Sequence, residues 1–303
     1  MGTSFSQSEF SRVGQLYANR VVLYVESRED LEVLRDRWFR EWSEWIEFQA
    51  VDRQDGSGGG GSCQVHRRVQ EDRKAHIDAY GIVDRDVLLS DQVMRNGSHW
   101  SAFMQTDHDA FEAASYLGPY IKILRRWEIE NYLLHPVAIG KMLNDAGFSL
   151  PDRCSADKAA QCILDFSPVA ILMTAANLVL LENDRRPLKE LFGKECEDLP
   201  KLTTHIVKQL DKNDITDAQE KIDIKCNAIR AFLHDQTGTP ESQWDQLNHL
   251  IDGKLFLTRF CEWIGFSEDK RKVLATMVCD GQLIDTEISA FMEVLKNKAT
   301  ESR

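Results

Sequence analysis

Apolar positions in the first part of the chain recur in two rhythms. Arg20-Val-Val-Leu-Tyr-Val-Glu26 is a continuous β-branched run that stops abruptly at Glu26-Ser-Arg-Glu-Asp30, which predicts a buried strand. From Asp30 to Trp42 the apolar residues Leu31, Val33, Leu34 and Trp38 follow helical spacing. Trp45 to Val51 alternates as a second strand, and a charged helix is expected from near Ser62 to about Asp78. Tyr80-Gly-Ile-Val-Asp84 reads as a third strand and Tyr120-Ile-Lys-Ile-Leu124 as a fourth. Strands alternating with helices predict βαβ units in a parallel sheet, whose ligands gather at the carboxyl ends of the strands.

From Pro136 onward only helical spacing recurs, enough for roughly six to eight helices. Helix starts are expected at Ser167-Pro168, Thr216-x-x-Gln219, Thr239-Pro240 and Ser267-Glu268, where a capping side chain, a proline or an acid meets free N–H groups. No repeat of fixed period is visible. The expected fold class is therefore α/β plus all-α: a Rossmann-like parallel-sheet domain over residues 1–135, then a helical domain over 136–303. Gly56-Ser-Gly-Gly-Gly-Gly-Ser62 has the composition of a flexible linker, natural or engineered. It also falls where a βα loop would use glycine for close backbone approach, and both readings stay open.

Composition narrows the class. A chain of 303 residues with 43% hydrophobic and 28% charged positions has material for two cores and is neither disordered nor fibrous. Seven cysteines, at 63, 154, 162, 196, 226, 261 and 279, form no Cys-x-x-Cys pair, which excludes a disulfide framework or zinc ribbon and points to a reducing cytoplasm. The first residues lack a signal-peptide pattern, while Gly2 and Ser6 match a myristoylation signal only loosely. Pro168–Leu181, the most apolar run, is interrupted by Thr174 and Asn177 and falls short of the ~20 residues of a membrane span, so a buried helix and no membrane partner are expected. The formal charge is −12, with 17 basic against 23 acidic residues over 1–150 and 20 against 26 over 151–303. Neither half is a general polyanion-binding surface, but an enzyme that holds metal with carboxylates remains allowed.

Five acids carry the candidate chemistry: Glu26 after the first strand, Asp84 and Asp86 after the third, and Glu128 and Glu130 after the fourth. Alternation along extended chain would point Asp84 with Asp86, and Glu128 with Glu130, to one side. Convergent carboxylates need a cation, and Mg2+, or Mn2+ in its place, suits oxygen ligands shared with a substrate phosphate. Arg67, Arg68, Arg73, Lys122, Arg125 and Arg126 are candidates for holding nucleic-acid phosphates, or are simply solvated. Glu128 has the alternative of pairing with Arg125 or Arg126. The eight histidines show no metal spacing and are expected to be structural or surface groups.

Val25-Glu26-x-x-x-Asp30, Val83-Asp84-Arg-Asp86 and Glu128-Ile-Glu-Asn-Tyr-Leu-Leu134, in that order over roughly residues 20–135, resemble the TOPRIM domain of the OLD-like nucleases, and within them the effector nucleases of PARIS anti-phage systems. Ser27 departs from the glycine many members carry after the glutamate. The resemblance implies a Mg2+-dependent nuclease in which Glu26 is a metal ligand or general base, Asp84 and Asp86 bind metal, and Glu130 with Glu128 completes the site. It further implies an inactive complex with an ABC-type ATPase subunit, release on phage infection, cleavage of host tRNA, and a helical domain used for docking and for a homodimer after release. The chain has no Gly-x-x-x-x-Gly-Lys-Ser/Thr, so any ATP hydrolysis would belong to the partner. Three alternatives stand beside this: a DNA-nicking TOPRIM nuclease, a non-catalytic adaptor or immunity module, and a haloacid-dehalogenase-type phosphatase with Asp84 as nucleophile. The phosphatase's motif normally lies on a first strand, and its later Gly-Asp-x-x-x-Asp is absent.

Overall fold

The computed structural model describes residues 20–51, 61–89, 100–145, 154–189, 191–196, 198–233, 237–266 and 269–301. The chain divides into two compact units, Met1–Asp84 with Glu112–Ile123 and Ile284–Arg303, and Arg85–Phe111 with Leu124–Leu283. The units therefore interleave along the chain, where the sequence suggests one division at 135/136.

The first unit is built on β1 (Val21–Val25), all of whose residues are buried, as expected of a strand covered on both faces. Ser27 then caps α1 (Arg28–Leu31), its Oγ accepting the Asp30 N–H at 3.1 Å. The helix expected over 30–42 does not continue regularly. It widens into a π-helical segment, Glu32–Trp38, closed by the Phe39 N–H on the Leu34 carbonyl at 2.8 Å, which buries Val33, Leu34 and Trp38 together. β2 (Ile46–Ala50), α2 (Gly61–Lys74), β3 (Ala79–Val83) and β4 (Ile121–Ile123) follow. All strand pairs are parallel and the order is β2-β1-β3-β4, with Leu23 level with both Phe48 and Tyr80, and Ile82 with Lys122. β1 and β3 thus lie side by side at the centre, where the connections depart in opposite directions. Helix α2 sits so close to β3 that a Cβ on Gly81 would lie 2.4 Å from Val65 Cγ1.

The second unit begins with a 3-10 turn, Arg85–Leu89, and α3 (Trp100–Phe103). Helix α4 (His108–Ala114) crosses the division between the units. There follow α5 (Ile129–Leu133), α6 (Pro136–Asp145), α7 (Ala156–Glu182), α8 (Leu199–Asp211), α9 (Ala218–Ala231), α10 (Pro240–Leu247), α11 (Gly253–Trp263) and α12 (Lys270–Asp280). Helix α7 is the axis against which α6, α8, α9, α10 and α11 pack. It is long and apolar enough to cross a membrane, yet 78% of its most apolar window is buried inside the protein, as in a core helix. The last helix, α13 (Thr286–Glu301), returns to the first unit and packs on β1 and β2, with Lys296 over the rings of Trp42 and Trp45.

Eight helices therefore follow Pro136 among the described residues, but one expected start is wrong. Ser167-Pro168 begins nothing: Pro168 lies inside α7, which starts at the Ser155 cap. Proline cannot donate to the Leu164 carbonyl four residues back, and the Ser167 hydroxyl donates to that oxygen instead, at 2.7 Å. Thr239-Pro240 does open α10, whereas α9 opens at Asp217, one residue past Thr216. Ser267-Glu268 lies outside the described residues, and Asp269 caps α12. The glycine stretch also lies outside them, apart from Gly61 and Ser62 at the start of α2.

Candidate functional site

The carboxyl ends of adjacent central strands whose connections diverge form the natural ligand crevice of an open parallel sheet. Glu26 follows β1 there and Asp84 follows β3. Both are half-buried, and the Asp84 backbone N–H donates to Glu26 Oε1 at 3.0 Å. Helix α2 begins against the same glutamate. A Cβ on Gly61 would lie 2.7 Å from Glu26 Oε2 and 3.2 Å from the Glu26 carbonyl oxygen, so only glycine lets the helix start at that distance. Ser27, where a glycine was expected by resemblance, turns the chain away by donating to Asp30 Oδ2 at 2.7 Å.

The Asp-Arg-Asp segment does not alternate as extended chain, because the strand ends at Val83 and Arg85 enters a 3-10 turn. Arg85 is the anchor of that turn. Its buried guanidinium donates to the carbonyls of Phe103, at 2.9 Å from Nε, of Gln105, at 2.9 Å from Nη2, and of Arg125. Its backbone N–H adds a bond to the Trp127 carbonyl at 2.8 Å. The arginine between the two aspartates is therefore a structural clamp within the second unit.

Asp86, Glu128 and Glu130 belong to the second unit, where they share surroundings that the sequence did not reveal. The start of α11 supplies Lys254, whose N–H donates to Glu128 Oε1 at 2.5 Å and whose Nζ lies 3.5 Å from Glu128 Oε2 and 3.7 Å from Glu130 Oε1. Arg271 of α12 pairs with Glu130 Oε1 as well. Glu130 is fully buried, and its Oε2 has no hydrogen-bond partner. Asp252, the cap of α11, accepts from Leu255 N–H at 3.0 Å and from the Asn177 side chain at 2.9 Å. Four acids thus surround two cations. Burial pushes the Asp86 carboxyl up to about 6, with Lys254 opposing the shift and Asp252 adding to it. Glu128 is pushed well above the usual carboxylate range by burial and by Glu130, and Asp252 is raised by burial too. The approach of α11 to α5 is close: a Cβ on Gly253 would lie 2.5 Å from Asn131 Oδ1, while the Asn131 amide donates to Asn248 O and Ile251 O. Glu128 therefore does not pair with Arg125 or Arg126. It is buried and faces Lys254.

The candidate phosphate-binding residues are occupied by local acids or rings. Arg67 and Arg68 pair with Glu71 along α2. Arg73 pairs with Asp78 and stacks over Tyr120 at 3.8 Å, and Lys122 pairs with Glu112 and, at 3.1 Å, with Glu287. Arg126 bonds Asp245 at 2.8 Å, and Arg125 donates to His108 Nδ1 at 3.1 Å. That last bond fixes a proton order. An arginine only donates, so neutral His108 carries its proton on Nε2 and donates to His249 Nε2 at 3.2 Å, while His249 Nδ1–H donates to the Asp245 carbonyl at 2.8 Å. Burial and the neighbouring Arg126 hold His249 down to about 3.

As possible metal ligands, Glu26 and Asp84 in the first unit and Asp86, Glu128 and Glu130 in the second are all hard oxygen donors, and the orphaned Oε2 of Glu130 is an acceptor still to be satisfied. This donor chemistry fits Mg2+ or Mn2+. Among the described residues, the one group of three potential ligands drawn within 4.8 Å is different: Glu195, Cys196 and His205.

The fold and these carboxylates define a parallel α/β sheet protein with acids at its switch point and a second, helical unit. No protein family, curated protein or solved structure matches the chain, so the sheet order and the placement of individual side chains carry the functional argument.

Proposed function

We propose that the chain is a Mg2+-dependent phosphodiester hydrolase, an endonuclease of the TOPRIM type. The observation that carries this is the pair Glu26 and Asp84 at the carboxyl ends of adjacent central strands, linked by the 3.0 Å bond from the Asp84 N–H to Glu26 Oε1. Within this reading Glu26 and Asp84 hold the ion, and the resemblance adds Asp86, Glu128 and Glu130 as further ligands. A divalent ion bound by such acids supplies Lewis acidity toward a phosphoryl oxygen and a lowered pKa for attacking water. The Asp84 N–H orients the Glu26 carboxylate so that Oε2 faces the start of α2. Lys254 and Arg271 set positive charge beside Glu128 and Glu130, and Lys254 opposes the upward push that burial and Glu130 exert on the Glu128 carboxyl.

The resemblance is strongest to AriB, the nuclease of the PARIS system. On that footing the substrate is host tRNA, the restraining partner is an AriA-like ABC-type ATPase, and the released form is a homodimer in the bacterial cytoplasm. Expression of wild type and Glu26→Ala with and without the ATPase, followed by gels of tRNA and plasmid DNA, tests this. Glu26-dependent tRNA fragments are expected. Nicked plasmid with intact tRNA would move the substrate to DNA, and intact tRNA and DNA would overturn the nuclease reading.

A further inference from the structure

Cys196 and His205 have no part in the nuclease reading, and nothing in their sequence spacing marks them as ligands. The structure nevertheless brings them together. Residues 191–196 turn back toward α8 through Gly193, which sits at φ 65, where glycine is the residue of choice, and whose missing Cβ would lie 2.7 Å from Leu202 Cδ1. Leu202 is three residues before His205 on the same helix, so this contact sets Glu195 and Cys196 beside the imidazole. The turn is held at the Gly193 carbonyl. Cys196 N–H donates to the Gly193 carbonyl at 3.0 Å, and the buried Arg259 donates to the same carbonyl at 2.9 Å. Asp198 fixes the start of α8 by accepting the Lys201 N–H at 2.8 Å.

One ligand atom from each of Glu195, Cys196 and His205 lies within 4.8 Å of the other two, and His205 Nδ1 is 3.6 Å from Glu195 Oε1. Bonds of 2.0–2.3 Å to a tetrahedral ion place its ligand atoms roughly 3.3–3.8 Å apart, so small side-chain adjustments suffice. We infer that Glu195, Cys196 and His205 form a binding site for a zinc-class divalent ion. Thiolate and imidazole donors select such an ion over Mg2+ or Ca2+, which take oxygen, so this site and the carboxylate site draw on different metals. Three protein ligands leave the fourth position to water. Binding releases the Cys196 proton to solvent as the thiolate forms its bond, with no change of oxidation state. The ion would tie the 191–196 turn to α8.

Titration of the purified full chain with Co2+ in excess Mg2+ tests the inference. One Co2+ per chain is expected, with a near-ultraviolet thiolate-to-metal absorption that Cys196→Ser abolishes. His205→Ala should weaken binding by at least about ten-fold, the lower end of what loss of even an outer-shell partner costs. Both side chains are partly exposed, so unchanged metal-free unfolding curves will show that the variants fold. Absence of the thiolate band, its persistence in Cys196→Ser, or displacement of Co2+ by Mg2+ would overturn the assignment.

Discussion

Lys254 does for the second unit what a metal would do elsewhere: it supplies positive charge to buried carboxylates. Replacing it by methionine leaves Glu130 with Arg271 and removes the ammonium from beside Glu128, and because the lysine is partly exposed the cost should be about 1 kcal/mol. Because burial and Glu130 already favour the protonated form of Glu128, the loss should grow as the pH rises and that carboxyl ionises, and urea titrations over a pH series measure the trend. His249 gives a second dependence of the same sign. Its folded pKa near 3 lies below the ordinary 6.5, so the folded state stays neutral while the unfolded chain takes up a proton. The stability it contributes is complete above pH 6.5 and is lost as the pH falls toward 3, and His249→Gln should flatten that part of the unfolding profile. Asp86 works the other way in metal-free protein. Its raised pKa contributes stability that is present below pH 3.8 and lost as the pH rises to about 6, so Asp86→Asn should remove that decline.

Gly61 is the last of the glycine stretch and the first residue of α2, and its place against Glu26 settles what that glycine is for. Gly61→Ala puts a methyl group against both the carboxylate and the Glu26 carbonyl, so the helix start must shift, at a cost of about 1–3 kcal/mol. Nuclease activity should fall with it, and chemical denaturation together with a cleavage assay separates the two effects. The four strands were legible in the sequence because buried parallel strands are continuous β-branched runs, and Glu26 and Asp84 were legible because each directly ends such a run. The π-helical widening at Glu32–Trp38 was not, since Val33, Leu34 and Trp38 satisfy the spacing of an ordinary helix. Pro168 misled because proline usually marks a first turn, and the compensating Ser167 hydroxyl works just as well inside a helix. Lys254 was invisible for another reason: it lies 126 residues from Glu128, and only the close approach allowed by Gly253 brings the start of α11 to it.

The chain crosses between its two units after Asp84, Phe111, Ile123 and Leu283, so neither unit is a continuous segment. Local periodicity could not show this, because α13 has an ordinary amphipathic pattern and its partners, β1 and β2, lie over two hundred residues earlier. A fragment ending at residue 135 lacks α13 and is expected to unfold without a cooperative transition, whereas the full chain should show one; circular dichroism in urea distinguishes them. The central claim, that carboxylates at the sheet's switch point hold a divalent ion, is tested most directly by calorimetric titration of Mn2+ into the purified full chain. Wild type is expected to bind with an affinity that Glu26→Gln and Asp84→Asn each reduce at least ten-fold while Cys196→Ser leaves it unchanged. Equal Mn2+ binding by wild type, Glu26→Gln and Asp84→Asn would contradict the account.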